Sequence, residues 1–138
     1  MIDLLQRLTD AIGLSGNEGA VRDILRDKVT PHCDDIRVDA LGNLICHKAP
    51  ESDIDPQAWP RKVMVAAHMD EIGLMITHIN EDGSLRFGAV GGIDPRILVA
   101  KRVVIGENAV PGVIGARPIH LTKAEDRKKV LAMNELTI

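Results

Sequence analysis

Aromatic side chains are almost missing from this sequence: it holds one Trp, one Phe and no Tyr in 138 residues. Platforms that stack bases or sugars need several such rings, so single-stranded nucleic acid and carbohydrate are disfavoured as ligands. Cysteine is nearly as scarce. Cys33 and Cys46 are too few for a disulfide framework, and Asp3, Arg7 and Asp10 interrupt any apolar run a secretory signal would need. Reduced thiols in a cytoplasmic protein are the expectation. No apolar run reaches membrane-spanning length, since the longest, such as Val63 to Ala67, are strand-sized. A surplus of one charge is lacking too. Seventeen basic residues stand against 20 acidic ones, a formal charge of -3, and the bases are scattered among the acids. Nothing here favours a polyanionic partner or a membrane.

What is present is the balance of a globular chain: 45% hydrophobic and 27% charged residues, enough to bury one moderate core or two small ones. Ile2, Leu5, Leu8 and Ile12 recur at spacings of three and four, which predicts an amphipathic helix ending near Gly13. Ser15, followed three residues later by Glu18, reads as a capping box. It would open a second helix through Val21, Ile24, Leu25 and Val29 that stops before Pro31. Asp34 to Asp39 and Leu44 to Cys46, around the turn residues Leu41-Gly42-Asn43, predict a hairpin. Ala49 to Pro60, with its prolines and acids, reads as a solvated loop.

Lys62 to Ala67 is almost continuously apolar, the pattern of a strand buried on both faces, with the two upstream helices as its cover. From Ile72 the texture changes to short β segments, Ile72 to Ile79, Ser84 to Val90 and Arg102 to Ile105. Asp82-Gly83, Gly91-Gly92, Asp94-Pro95 and Pro111-Gly112 punctuate them. This predicts a second unit, a small β-barrel or sandwich, from about Glu71. A helical pattern returns over Thr122 to Val130, and Glu135 to Ile138 reads as the start of a strand.

The sharpest chemical feature follows the buried-type run: Ala67-His68-Met69-Asp70-Glu71-Ile72-Gly73. In open α/β sheets, ligands gather where strands end. In extended chain His68 and Asp70 share a side and Glu71 points away. His68 then suits a metal through one ring nitrogen, with Asp70 holding the other. The plainer reading is a histidine capping a strand beside an aspartate bonded to nearby backbone. Other candidates are weaker. His32-Cys33 and Cys46-His47 could each offer a zinc ion only one ligand comfortably, because neighbours on a strand face opposite ways. Cys46 has no visible activating base for a nucleophilic role. Asp70 and Glu71 diverge too much to flank a glycosidic bond, and Gly91-Gly92 lacks the Lys-Ser/Thr of a phosphate loop.

The run Val65-Ala66-Ala67-His68-Met69-Asp70-Glu71-Ile72-Gly73 resembles the metallo-aminopeptidases that include glutamyl, deblocking and tetrahedral aminopeptidases, some of them labelled endoglucanases. Ser15-Gly16 with Glu18 agrees in the same order, as do Asp39-Ala40-Leu41-Gly42-Asn43-Leu44 and Gly91-Gly92-Ile93-Asp94-Pro95-Arg96. Gly112-Val113-Ile114-Gly115, leading to Pro118, His120 and Leu121, completes the series. The resemblance implies an α/β fold, residues 1–70 being the first part of a zinc-peptidase-like catalytic domain and residues 71–138 a β-barrel-like assembly domain. It implies two divalent ions, zinc or cobalt, in the complete enzyme. It also implies peptide substrates and a homo-oligomer, dodecameric in the family. Of the family's site only His68, as metal ligand, and Asp70, as its orienter, are matched, so this chain is expected to be an N-terminal portion inactive alone. The alternative is a non-catalytic, peptidase-like interaction module.

Overall fold

The computed structural model describes residues 1–50, 62–122, 125 and 129–138. Two compact units, Met1–Glu71 and Ile72–Ile138, divide the chain. The expected loop over Ala49 to Pro60 and the helical pattern of Thr122 to Val130 lie largely outside the described residues.

In the first unit, helix α1 (Ile2–Asp10) carries the predicted apolar stripe yet buries no residue fully, and Ile2 and Leu5 stay exposed. Helix α2 (Gly19–Val29) buries Val21, packed so closely on the chain at Gly13 that a Cβ there would sit 2.6 Å from Val21 Cγ2. The capping-box expectation needs correction: α2 starts one turn later, with Glu18 at its N-cap and no side-chain cap. Glu18 Oε1 instead accepts the Gly16 N–H at 2.7 Å, closing the turn before the helix. Past Val29 the chain tightens into a 3₁₀ turn, Thr30–His32, where Pro31 cannot continue an α-helix.

Strands β1 (Asp35–Val38) and β2 (Leu44–His47) form the predicted hairpin, antiparallel, with Ile36 opposite Cys46 and Val38 opposite Leu44. Asp39 builds its turn, accepting the backbone N–H groups of Leu41 and Asn43 and the Asn43 side-chain amide, each at 2.9 Å. Gly42 supplies the left-handed residue, φ +87°, and Arg22 of α2 donates to its carbonyl at 2.8 Å. One side chain thereby joins helix to hairpin.

The buried strand expected at Lys62 to Ala67 is not formed. Residues 62–70 belong to no strand, and Val63, Met64 and Val65 are 74%, 90% and 91% exposed. The reason is pairing: a strand buried on both faces needs neighbours to satisfy its N–H and C=O groups, and among the described residues none flanks this segment. His68 therefore does not sit at the end of a sheet strand here.

The described residues of the second unit form short β-strands and 3₁₀ turns. Strands β3 (Gly73–Ile79) and β4 (Leu85–Val90) pair antiparallel with an irregularity between Ile76 and His78. Their turn is set by Gly83 at φ +82° and by Asp82, whose carboxylate accepts from the Ser84 backbone and hydroxyl. After β4, Gly91 at φ +88° passes so near Ile72 that a Cβ would lie 2.6 Å from its Cγ2, so only glycine fits. Asp94 then caps the 3₁₀ turn Pro95–Ile97 and pairs with Arg96. That side-chain hydrogen bond holds the Asp94 carboxyl at about 2, so the pair persists as pH falls from 3.8 and is lost only as pH passes below about 2. The expected Asp94-Pro95-Arg96 turn is present.

Strands β5 (Arg102–Ile105) and β6 (Val110–Val113) form a third ladder, and β7 (Gly115–Ala116) pairs with β8 (Leu136–Thr137). Leu85 and Ile138 exchange backbone hydrogen bonds at 2.7 and 3.0 Å, joining β4 to the segment that ends β8. The core is Phe87, Leu98, Ile114 and Leu136, with Leu74, Ile76, Val103 and Met133 around it. The α/β character is present across the chain, whereas the expected barrel is not: the described residues form four two-stranded ladders. Closure requires every strand to be bonded along both edges, and each of these has one ladder partner.

Ile114, 1% exposed, is the side chain on which this core turns. Ile114→Ala should cost about 2–5 kcal/mol and lower the thermal midpoint followed by circular dichroism, while Ile79→Ala on the exposed end of β3 should leave it nearly unchanged.

Candidate functional site

The His68–Asp70 segment has no sheet to hold it, and its position comes from its far end. Glu71 N–H donates to Gly13 O at 2.8 Å, and Gly13 N–H donates to Glu71 Oε1 at 3.2 Å. An isolated parallel bridge between Leu14 and Glu71 completes this clasp. Gly13 can meet Glu71 because it carries no side chain in the space that Val21 and the Met69 carbonyl occupy. The divergence of Glu71 from Asp70, expected from strand alternation, puts its carboxylate on Gly13.

His68 Nδ1 lies 3.0 Å from Asp70 Oδ1 and 2.9 Å from the Asp70 carbonyl oxygen. Both are acceptors, so the neutral ring carries its proton on Nδ1 and donates it to them. That leaves Nε2 with a lone pair. The His68 side chain is 85% exposed, and Asp70 is half-buried. The Asp70 carboxyl is held below its ordinary value, first by a hydrogen bond with the Ser15 side chain and then by the one with His68.

The structure brings together the two residues singled out from the sequence, and adds three that the sequence reading missed in this role: Gly13, Ser15 and Glu71. Ser15 was visible as a polar residue at a helix entrance, but its contact across more than fifty residues leaves no local signal. Glu71 was visible only as the acid that follows Asp70.

A catalytic zinc ion takes about three protein ligands and an open position. Among the described residues no three His, Cys, Asp or Glu side chains are grouped to hold an ion. What they offer is one imidazole nitrogen, oriented by a carboxylate, and they do not fit a complete metal site.

Comparison with known proteins gives this geometry a context. A profile described as M42 glutamyl aminopeptidase matches residues 42–138. The lysyl aminopeptidase of Pyrococcus furiosus is 37% identical over 126 residues, covering 88% of this chain and 34% of its own length. Among solved structures, the aminopeptidase APDkam598 of the archaeon Desulfurococcus kamchatkensis superposes with a TM-score of 0.82 at 35% identity, covering 99% of this chain and 36% of its own. The Pyrococcus horikoshii TET1 peptidase, which can assemble into a tetrahedron or a large octahedral shell, gives 0.73 at 36% identity, covering 99% of this chain and 39% of its own. The chain spans about a third of the length of the curated relatives it matches.

If Asp70 and the carbonyl beside it fix the ring, the neutral His68 should show a single tautomer, protonated at Nδ1, in ¹⁵N–¹H correlation spectra. Asp70→Ala should weaken that preference toward the mixture of a free imidazole, while Asp82→Ala should leave it unchanged.

Proposed function

The chain belongs to the M42 glutamyl aminopeptidase family, and on that premise we propose that it serves metal-dependent removal of N-terminal residues from peptides. Residues 1–70 supply part of the catalytic domain and residues 71–138 an assembly domain. The observation that carries this reading is the His68–Asp70 pair, with Nδ1 engaged and Nε2 free. In such a pair the carboxylate fixes ring orientation and raises the basicity of the ligating nitrogen. His68 is the metal ligand and Asp70 its orienter. Ser15 and the Gly13–Glu71 clasp set the pair's position.

Bound divalent ions, zinc or cobalt, would supply an activated water and a Lewis acid for the scissile carbonyl. The described residues provide one ligand, so the remaining ligands and the general base have to come from elsewhere. The chain by itself is therefore inactive, and the complete enzyme is a homo-oligomer, as the assembly named for the Pyrococcus horikoshii relative suggests. The exposed Val63–Val65 run supports the same picture: three apolar side chains of strand type await neighbouring strands. The alternative, a peptidase-like module that binds without catalysis, predicts no activity even in a complete assembly.

The test is calorimetric titration of residues 1–138 with zinc or cobalt beside an aminoacyl-nitroanilide assay, repeated on the protein completed with the rest of a catalytic domain. The expected outcome is neither tight metal binding nor turnover by the chain alone, and both by the completed protein. Metal-dependent turnover by residues 1–138, free of host peptidase, would show the active site to be misassigned; a completed protein that binds metal and turns nothing over would favour the binding module.

A further inference from the structure

Strand β1 is paired along one edge. Its register with β2, from Asp35 opposite His47 to Val38 opposite Leu44, covers one side, and among the described residues no strand lies along the other. The turn decides which groups face the open side. Asp39 N–H donates to Asn43 O at 3.1 Å, so the ladder begins at a hydrogen-bonded pair, and along an antiparallel ladder such pairs alternate with unbonded ones. Arg37 and Asp35 therefore bond to β2, while Ile36 and Val38 direct their N–H and C=O groups away from it.

A groove of about 480 Å³ borders β1, lined by Arg26 and Thr30 at the end of α2 and by six consecutive residues, Cys33 to Val38. Side chains of a strand alternate between faces, so a wall made of every residue in turn is a wall of backbone. The groove follows the free edge.

Open edges invite another strand, and charges on them usually discourage it. Here the two charges are of opposite sign: Asp35 and Arg37 are exposed and share one face of β1. A two-fold axis sets an edge antiparallel to its own copy, and three registers bring the open-edge groups opposite one another. Pairing Ile36 with Val38 of the second copy sets Arg37 against Arg37 and Asp35 against Asp39, and like charges directly opposite repel. Centring on Val38 calls on Ala40 and Asp39, yet the Asp39 carboxylate already accepts three hydrogen bonds within its own turn. Centring on Ile36 sets Asp35 of each copy opposite Arg37 of the other.

We propose that β1 joins a second copy of this chain edge to edge, in the antiparallel register centred on Ile36. Ile36 N–H of each copy donates to Ile36 O of the other, and two cross-strand pairs of Asp35 with Arg37 flank that contact. The two hairpins become one four-stranded sheet in the order β2-β1-β1-β2. This goes beyond the peptidase reading and does not rest on it.

Sedimentation velocity over a range of concentrations reads the association, and circular dichroism checks the fold of each variant. Wild type should be in monomer–dimer equilibrium, with the Ile36 amide protected from hydrogen exchange in the dimer and at least several-fold faster to exchange on dilution. Asp35→Arg and Arg37→Asp should each weaken dimerisation about tenfold or more, because each sets like charges opposite at both ends of the contact. Neither removes a turn hydrogen bond, since the Asp39 carboxyl is held down first by Asn43 and last by Arg37. An equimolar mixture of the two variants should recover the dimer, one copy presenting only acids and the other only bases. A wild-type chain that stays monomeric overturns the proposal, and so does a dimer that both reversals leave intact, which would put the contact on another surface such as Val63 to Val65. Folded variants whose mixture stays monomeric overturn the register. Should either variant lose its fold, wild-type exchange decides: an Ile36 amide whose rate does not depend on concentration overturns the proposal.

Discussion

Gly13 and Glu71 are held together by two hydrogen bonds across 58 residues, and the placement of the chemistry depends on that contact. Between the hairpin and Glu71 the described chain at 62–70 makes no ladder of its own, so nothing periodic fixes His68. The clasp sets where the segment ends, and Asp70, its carboxyl held below its ordinary value by Ser15 and His68, bonds His68. Each link is one or two polar contacts on a partly wet surface, where one hydrogen bond contributes about 0.5–1.5 kcal/mol. The histidine is therefore oriented by a short relay of local contacts, with a close-packed glycine at its base.

Much of this was legible in the sequence. The apolar periodicity of α1 and α2, the turn at Asp39 to Asn43, and the β segments from Ile72 onward were readable because local spacing and turn chemistry decide them. The pair His68 and Asp70 was readable because two residues in extended chain share a side. The strand at Lys62 to Ala67 was misjudged for a physical reason: its apolar pattern describes an environment on both faces, and the environment is not formed by these residues. The barrel is not found among the described residues, since strand count and turn spacing do not determine which edges close. Ser15 reads as a helix cap because the capping box is a local pattern, whereas its influence on Asp70 depends on how distant parts of the chain meet.

The exposed run from Val63 to Val65 and the solitary imidazole of His68 lie within six residues of each other. Among the described residues the apolar run has no neighbouring strand and the imidazole has no grouped companions able to hold a metal ion. The chain spans about a third of the length of the curated relatives it matches, and under the proposed function further strands and ligands complete the site. The second unit has its own core around Ile114 and Leu136.

The most direct measurement is metal content by mass spectrometry, alongside peptidase turnover, for the expressed gene product carrying His68→Ala or Asp70→Ala. Loss of a ligand should remove most of the bound metal, whereas loss of the orienting carboxylate should retain more metal and lower turnover by about 10-fold or more. A His68→Ala product with the metal content and turnover of the parent would contradict the account.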